Sequence, residues 1–298
     1  MLDHSAEGGR LEGAIRKSLE RRGEGLSVRL RALRGRILEV DLSLDPRHKF
    51  EVLAILEDLA SGLEGATGVP YAIWDLGGAP GSGSSFRAKL VRLDFLDGLR
   101  RAMGEVGNSV RGRMAEFERA GMDEDGLFEE LCFCILTANF SAEGGIRIQE
   151  AIGDGFLKLS ERELSKRLEE LGHRYPRARA KYIVEARWVH GGLAKRLRGF
   201  RDAKEAREWL VENVKGLGYK EASHFLRNVG FGDVAIIDRH VLRFLREMGL
   251  IEEMPRALGK VRYLELERLL SAVASKLGLS VGELDLYIWY EMTGKVLK

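Results

Sequence analysis

The sequence predicts a mainly α protein, an all-helical part over residues 96–298 preceded by a small α+β module over 1–95. Three observations carry this. Short alternating segments are confined to the first hundred residues. Beyond Leu96 the apolar residues recur with helical spacing. Two of those helical patterns, within 202–229, are joined only by Lys215-Gly216-Leu217-Gly218, which is too short for anything but a tight hairpin.

Composition narrows the class. The 298 residues are 45% hydrophobic and 32% charged, with a mean hydropathy of −0.19, as in an ordinary soluble protein. A net charge of +2 does not diagnose nucleic-acid binding by itself, so any basic surface must be local. No apolar run approaches membrane-spanning length and no secretory leader pattern opens the chain, so an intracellular protein without a membrane partner is expected. The two cysteines, Cys132 and Cys134, point to different sides of a helix and form no disulfide in this reading. Two cysteines also exclude a four-cysteine iron–sulfur cluster.

In the N-terminal module a short basic helix is expected around Ala14 to Arg22 and a half-buried strand over Arg36 to Leu44. Asp45 and Pro46 read as N-cap and first residue of a helix reaching about Leu63. Val69 to Leu76 and Phe86 to Phe95 read as strands. Residues 77–85 between them, GGAPGSGSS, read as a flexible linker, because they lack the Lys-Ser/Thr of a phosphate-binding loop. No function is assigned to this module.

In the helical part, Glu129 to Ala138 reads as an amphipathic helix with Leu127, Phe128, Leu131, Cys132 and Ile135 on one face. Asn139 follows at its end. Arg174 to Lys181 is a basic stretch containing Tyr175; it reads either as a solvated helix start or as a phosphate contact beside an aromatic. The first hairpin helix runs to about Val214. The second begins near Tyr219, with Ala222, Phe225, Leu226 and Val229 on one apolar face. Gly216 and Gly218 allow positive φ, and the amides of the turn and of the following helix are expected to point outward as a backbone anion site suited to a nucleic-acid phosphate.

Lys220 lies just inside that second helix, off its core face. A cation there is disfavoured by the helix macrodipole, which favours the neutral amine a lysine nucleophile needs. Eighteen residues on, Asp238 sits where an N-cap belongs, before Arg239 and His240. Taken alone, Lys220 reads equally as a phosphate contact, and Asp238 reads first as a cap. Their combination with the hairpin raises the catalytic reading. Arg239, Arg243 and Arg246 share one face and read either as backbone-tracking or as simply exposed. A last helix starts at the capping box Ser280-Val281-Gly282-Glu283 and ends near Thr293-Gly294.

The stretch GLGYKEASHFLRNVGFGDVAIIDRHVLRFL resembles the helix-hairpin-helix DNA glycosylases with a catalytic Lys and Asp, and more closely the archaeal-type 8-oxoguanine DNA glycosylase/AP lyases. The likeness extends through ELCFCILTANFSAEGGIRIQEAIGDGF and LEELGHRYPRARAKYIVEAR to LDLYIWYEMTGKVLK, covering about 108–298 and none of the first hundred residues. It implies a two-lobed helical DNA-repair enzyme, with Lys220 and Asp238 catalytic and damaged double-stranded DNA as partner. It further implies a base pocket of Tyr175, Trp289 and Lys298, in which Trp289 stacks on the extruded base and Lys298, with its carboxylate, closes the pocket. Asn139 matches the slot of a side chain entering the vacated duplex, while from sequence alone it reads equally as a helix C-cap. Lys215, Gly216, Gly218 and Arg239 would contact DNA. Base removal through a lysine Schiff base, followed by β-elimination, asks for no metal and no cofactor, leaving room for a monovalent cation held by hairpin carbonyls. The alternatives are a glycosylase for another damaged base and a non-catalytic helix-hairpin-helix module that grips DNA.

Overall fold

The computed structural model describes residues 4–20, 26–34, 36–44, 51–78 and 85–298, which fall into two compact units. The first comprises Met1–Arg100 with Leu242–Gly278, the second Arg101–Val241 with Leu279–Lys298. The sequence places one division, between residues 95 and 96, whereas the compact units divide the chain at three points. A later segment, Leu242–Gly278, clusters with the N-terminal module through contacts that no local pattern encodes.

In the first unit, α1 (His4–Glu20) and α2 (Val52–Thr67) pack on a sheet of β1 (Leu26–Arg34), β2 (Ile37–Leu44), β3 (Tyr71–Gly78) and β4 (Ser85–Arg92). The order is β1-β2-β4-β3, with antiparallel pairing throughout. Alternation does its expected work in β2, where Leu38, Val40, Leu42 and Leu44 are all buried against the helices. Strand β1 was not expected, and α1 begins ten residues earlier than its basic residues suggested. The expected cap at Asp45–Pro46 lies outside the described residues, as do residues 79–84. Of the expected linker, Gly77 and Gly78 continue β3 and Ser85 opens β4.

The register of β3 against β4 shifts between Ile73 and Asp75, making Trp74 the extra residue of a bulge. Its Nε1 donates to Glu265 O at 3.0 Å in α13 (Lys260–Leu277). Lys89 of β4 lies 5.0 Å over the Trp74 ring and 3.2 Å from Glu265 Oε1, and Arg268 pairs with Asp75 at 3.2 Å. Arg36 binds Asp94 and the Met248 carbonyl. These contacts are why Leu242–Gly278 belongs with the sheet.

The second unit is helical. Part of α3 (Leu96–Ala120) opens it, followed by α4 (Glu124–Thr137), α5 (Ala142–Ile152), α6 (Gly155–Lys158), α7 (Glu161–Glu170) and α8 (Pro176–Ala186). A 3-10 turn (Arg187–Val189) leads to α9 (Leu193–Arg198), α10 (Ala203–Asn213), α11 (Tyr219–Asn228), the start of α12 (Arg239–Glu247) and finally α14 (Val281–Thr293). Helix α4 starts five residues earlier than expected, capped by Asp123, whose carboxylate accepts from Gly126 N at 2.9 Å. It is also not one-sided: apart from Glu129, every residue from Leu127 to Thr137 is buried. A helix apolar all round belongs in the centre of a core. Cys132 and Cys134 are both buried free thiols, and burial pushes both well above the ordinary thiol range.

Candidate active site

The hairpin forms as its sequence dictates. Val214 caps α10, and Gly216 adopts φ +91° with its Cα so close to Tyr182 that an added Cβ would lie 2.7 Å from the ring. Gly218 corrects the expectation made for both glycines: its φ of −93° and ψ of −173° are extended backbone. Its amide donates to Glu221 Oε2 at 3.3 Å, and Leu217 N donates to Val214 O at 3.3 Å. Two hairpin amides are thus engaged within the protein, so the anion site is narrower than expected. Buried Arg207, which sequence pattern counts as polar surface, joins the two helices. It donates to Ser223 Oγ at 3.1 Å and stacks 5.1 Å from the Tyr219 ring.

Helix α11 places Lys220 on the wall of a pocket, 27% exposed, with its Nζ 3.2 Å from Glu221 Oε1. Asp238 lines the same pocket and is an N-cap as its position implied: Oδ1 accepts from His240 N at 2.8 Å and Val241 N at 2.9 Å. From α14 come Asp285 and Trp289, and from the segment after it Lys298. Ser280 starts α14 as expected, accepting from Glu283 N at 3.1 Å, and Gly294 ends it at φ +72°. Trp289 meets His240 at 4.4 Å between ring centroids, and its buried Nε1 has no partner among the described residues.

The structure thus brings Lys220, Asp238, Trp289 and Lys298 together. Tyr175 is absent from that lining; it is 40% exposed, with the guanidinium of Arg174 at 5.1 Å from its ring. Asn139, Lys215, Gly218 and Arg239 are exposed, Gly216 half-buried, and Lys215 pairs with Glu185 at 3.1 Å. Asn139 takes φ +59°, the left-handed geometry that follows a helix end. The carbonyls before it are satisfied by side chains: Leu136 O by His173 Nε2 at 3.0 Å, and Ala138 O by Arg179 at 2.6 Å. Arg179, part of the basic stretch read either as solvated or as phosphate-contacting, is buried.

His224, Arg227 and Asp285 line the pocket and are among the residues that escaped the sequence reading. His224, one turn after Lys220, is held well below the ordinary imidazole range by burial and then by the cations Arg227, Lys220 and Lys298, so it is neutral. Asp285 is pushed up to about 7 by burial, against the pull of Arg227 at 3.2 Å and with a further push from Asp238. Helical spacing was the available signal: i+4 from Lys220 reaches His224, and four residues before Trp289 is Asp285.

An amine, a carboxylate, an aromatic platform and a carboxyl that exchanges protons near neutrality line one cleft. Such a set suits nucleophilic substitution at a sugar carbon with proton transfer. Among the described residues no group of three or more His, Cys, Asp or Glu could hold a metal, and no helix is long and apolar enough to cross a membrane.

Comparison with known proteins places this site in context. A family model for 8-oxoguanine DNA glycosylase matches residues 110–279. The 8-oxoguanine DNA glycosylase/AP lyase of Korarchaeum cryptofilum is 55% identical over 206 residues, 69% of this chain and 98% of that protein. That of Methanocaldococcus jannaschii is 54% identical over 195 residues, 65% of this chain and 94% of that protein. The crystal structure of Methanocaldococcus jannaschii 8-oxoguanine glycosylase/lyase in complex with a 15mer DNA containing 8-oxoguanine superposes with a TM-score of 0.66 at 51% identity. That match covers 68% of this chain and 99% of that one.

Proposed function

The chain belongs to the 8-oxoguanine DNA glycosylase family, and from that premise we propose that it is a bifunctional enzyme excising 8-oxoguanine from duplex DNA and cleaving the strand at the resulting abasic site. The observation that carries this reading is the placement of Lys220 and Asp238 on the wall of one pocket beside Trp289.

Extruding a nucleotide costs a few kcal/mol of lost stacking. Stacking on Trp289, worth about 1–3 kcal/mol, and filling of the vacated duplex by Asn139 offset that cost. Exposed Lys215 and Arg239 hold the phosphate backbone. Tyr175, exposed beside Arg174, serves the same DNA-facing surface. The lone pair of Lys220 Nζ attacks C1′ and the base departs with the bonding electrons. The opened sugar then forms a Schiff base on Nζ. This imine acidifies the C2′ proton, whose removal expels the 3′ phosphate. Asp238 stabilises positive charge developing on the sugar.

Selection of 8-oxoguanine rests on one proton. Guanine presents N7 as an acceptor, whereas 8-oxoguanine presents N7–H as a donor. An acceptor from the Lys298 backbone matches only the lesion, and an unmatched buried pair costs about 1–3 kcal/mol.

The test is single-turnover excision from duplexes carrying 8-oxoguanine, guanine, uracil or hypoxanthine. The reading predicts release of 8-oxoguanine above the others and loss by about a thousandfold or more in Lys220→Gln. Preferential release of another base would leave a glycosylase of different specificity. Release of none, with binding kept, would leave a DNA-gripping module.

A further inference from the structure

Glu130 is a carboxylate in the middle of α4, otherwise buried among apolar residues, and only 7% of it is exposed. A charge in such a place persists only when its lone pairs are occupied. Here Oε1 accepts from Lys298 Nζ at 2.5 Å and from Gln149 Nε2 at 3.1 Å, while Oε2 accepts from Asn228 Nδ2 at 3.0 Å. The Lys298 ammonium also donates to Gln149 Oε1 at 2.6 Å and lies 4.6 Å over the Phe133 ring. Its side chain is 16% exposed. The chain continues through Asn228 Oδ1, which accepts from Arg227 Nε at 2.9 Å, and through Arg227 to Asp285 Oδ2 at 3.2 Å.

The two ends of this network, Lys298 and Asp285, line the pocket; Glu130, Gln149 and Asn228 do not. Beyond α14 the segment 294–298 has no helix or strand of its own to fix it. Its last residue is nevertheless held by three groups on its ammonium, and its backbone hydrogen-bonds the His224 ring, which also lines the pocket. Five residues without regular structure make a precise wall only if something outside the segment orders them.

We propose that Glu130, seconded by Gln149 and Asn228, is a positioning residue: it latches the Lys298 ammonium and thereby sets the 294–298 segment as the specificity-determining wall of the base pocket. The proposal rests on the glycosylase reading. Glu130 touches no substrate; it acts through Lys298. An abasic site carries no base for that wall to read, so the latch bears on base excision more than on abasic-site cleavage.

The experiment uses the full chain as wild type, Glu130→Gln, Lys298→Met and the double variant. It measures single-turnover excision from an 8-oxoguanine duplex, cleavage of an abasic-site duplex, and amide hydrogen exchange of residues 294–298. The expected result is faster exchange in each single variant and a ratio of excision to abasic-site cleavage lowered about tenfold or more. The double variant should lose no more than the worse single, since both remove one interaction. An unchanged ratio in Lys298→Met, unchanged exchange in both single variants, or losses that add in the double variant would overturn the latch. Should Glu130→Gln fail to fold, Lys298→Met carries the test through both readouts. A wild type inert on 8-oxoguanine whose 294–298 exchange still responds to both substitutions would instead count against the glycosylase reading.

Discussion

Asp285 Oδ2 lies 3.2 Å from a guanidinium nitrogen of Arg227, both almost completely buried, and still the carboxyl is pushed up to about 7. Burial is the largest effect and outweighs the arginine; a smaller push from Asp238 adds to it, against a smaller pull from Lys220. The folded protein therefore binds a proton at Asp285 that the unfolded chain has released above its ordinary value of 3.8. This contribution to stability is complete below about pH 4 and is lost as pH rises to about 7. Urea unfolding of wild type and Asp285→Asn across pH 4 to 8 should show the variant lacking that component. Parallel curves would assign the carboxyl an ordinary titration.

The hairpin glycines should separate. Gly216→Ala places a Cβ at positive φ and 2.7 Å from the Tyr182 ring. Gly218→Ala meets ordinary extended backbone and the movable Glu221 carboxylate at 3.1 Å. Gly216→Ala should cost about 1–3 kcal/mol and weaken DNA binding. Gly218→Ala should cost well under 1 kcal/mol. Thermal unfolding with the two variants side by side checks the order.

Lys215 and Arg239 are exposed, so their phosphate contacts should act through counterion release. Each alanine variant should lower the slope of log affinity against log salt by about 0.9, equally for damaged and undamaged duplexes. A loss confined to damaged DNA would place either residue in recognition of the lesion.

Asn139 combines a backbone role with a reach into DNA, and substitution can part them. At φ +59° glycine is tolerated and alanine is not. Asn139→Gly should leave the unfolding midpoint nearly unchanged while excision from duplex DNA falls about tenfold or more. Equal loss from single-stranded and duplex substrates would reduce Asn139 to a helix cap.

Much of the site is legible because local physics writes it locally. The apolar face of Ala222, Phe225, Leu226 and Val229 sets α11, and with it the outward position of Lys220. Ser280 caps α14 and Asp238 caps α12, so Trp289 and the Asp238 carboxylate are placed by their neighbours in sequence. What hides is long-range. Arg179, Arg207 and Arg227 look like surface in any pattern but are buried in specific hydrogen bonds. No local pattern singles out Glu130, whose partner Lys298 lies 168 positions away. Strand β1, by contrast, carries its signal in the sequence and was not read from it. Leu26, Val28 and Leu30 alternate with exposed Ser27 and Arg29, the profile of a half-buried edge strand.

The central claim is that Lys220 is the nucleophile in base removal. Borohydride reduction during reaction with a duplex carrying a single 8-oxoguanine tests it most directly, with Lys220→Gln alongside. The account predicts a covalent protein–DNA adduct with the wild type and none with the variant. An adduct that persists in Lys220→Gln would contradict it, moving the Schiff base to another amine.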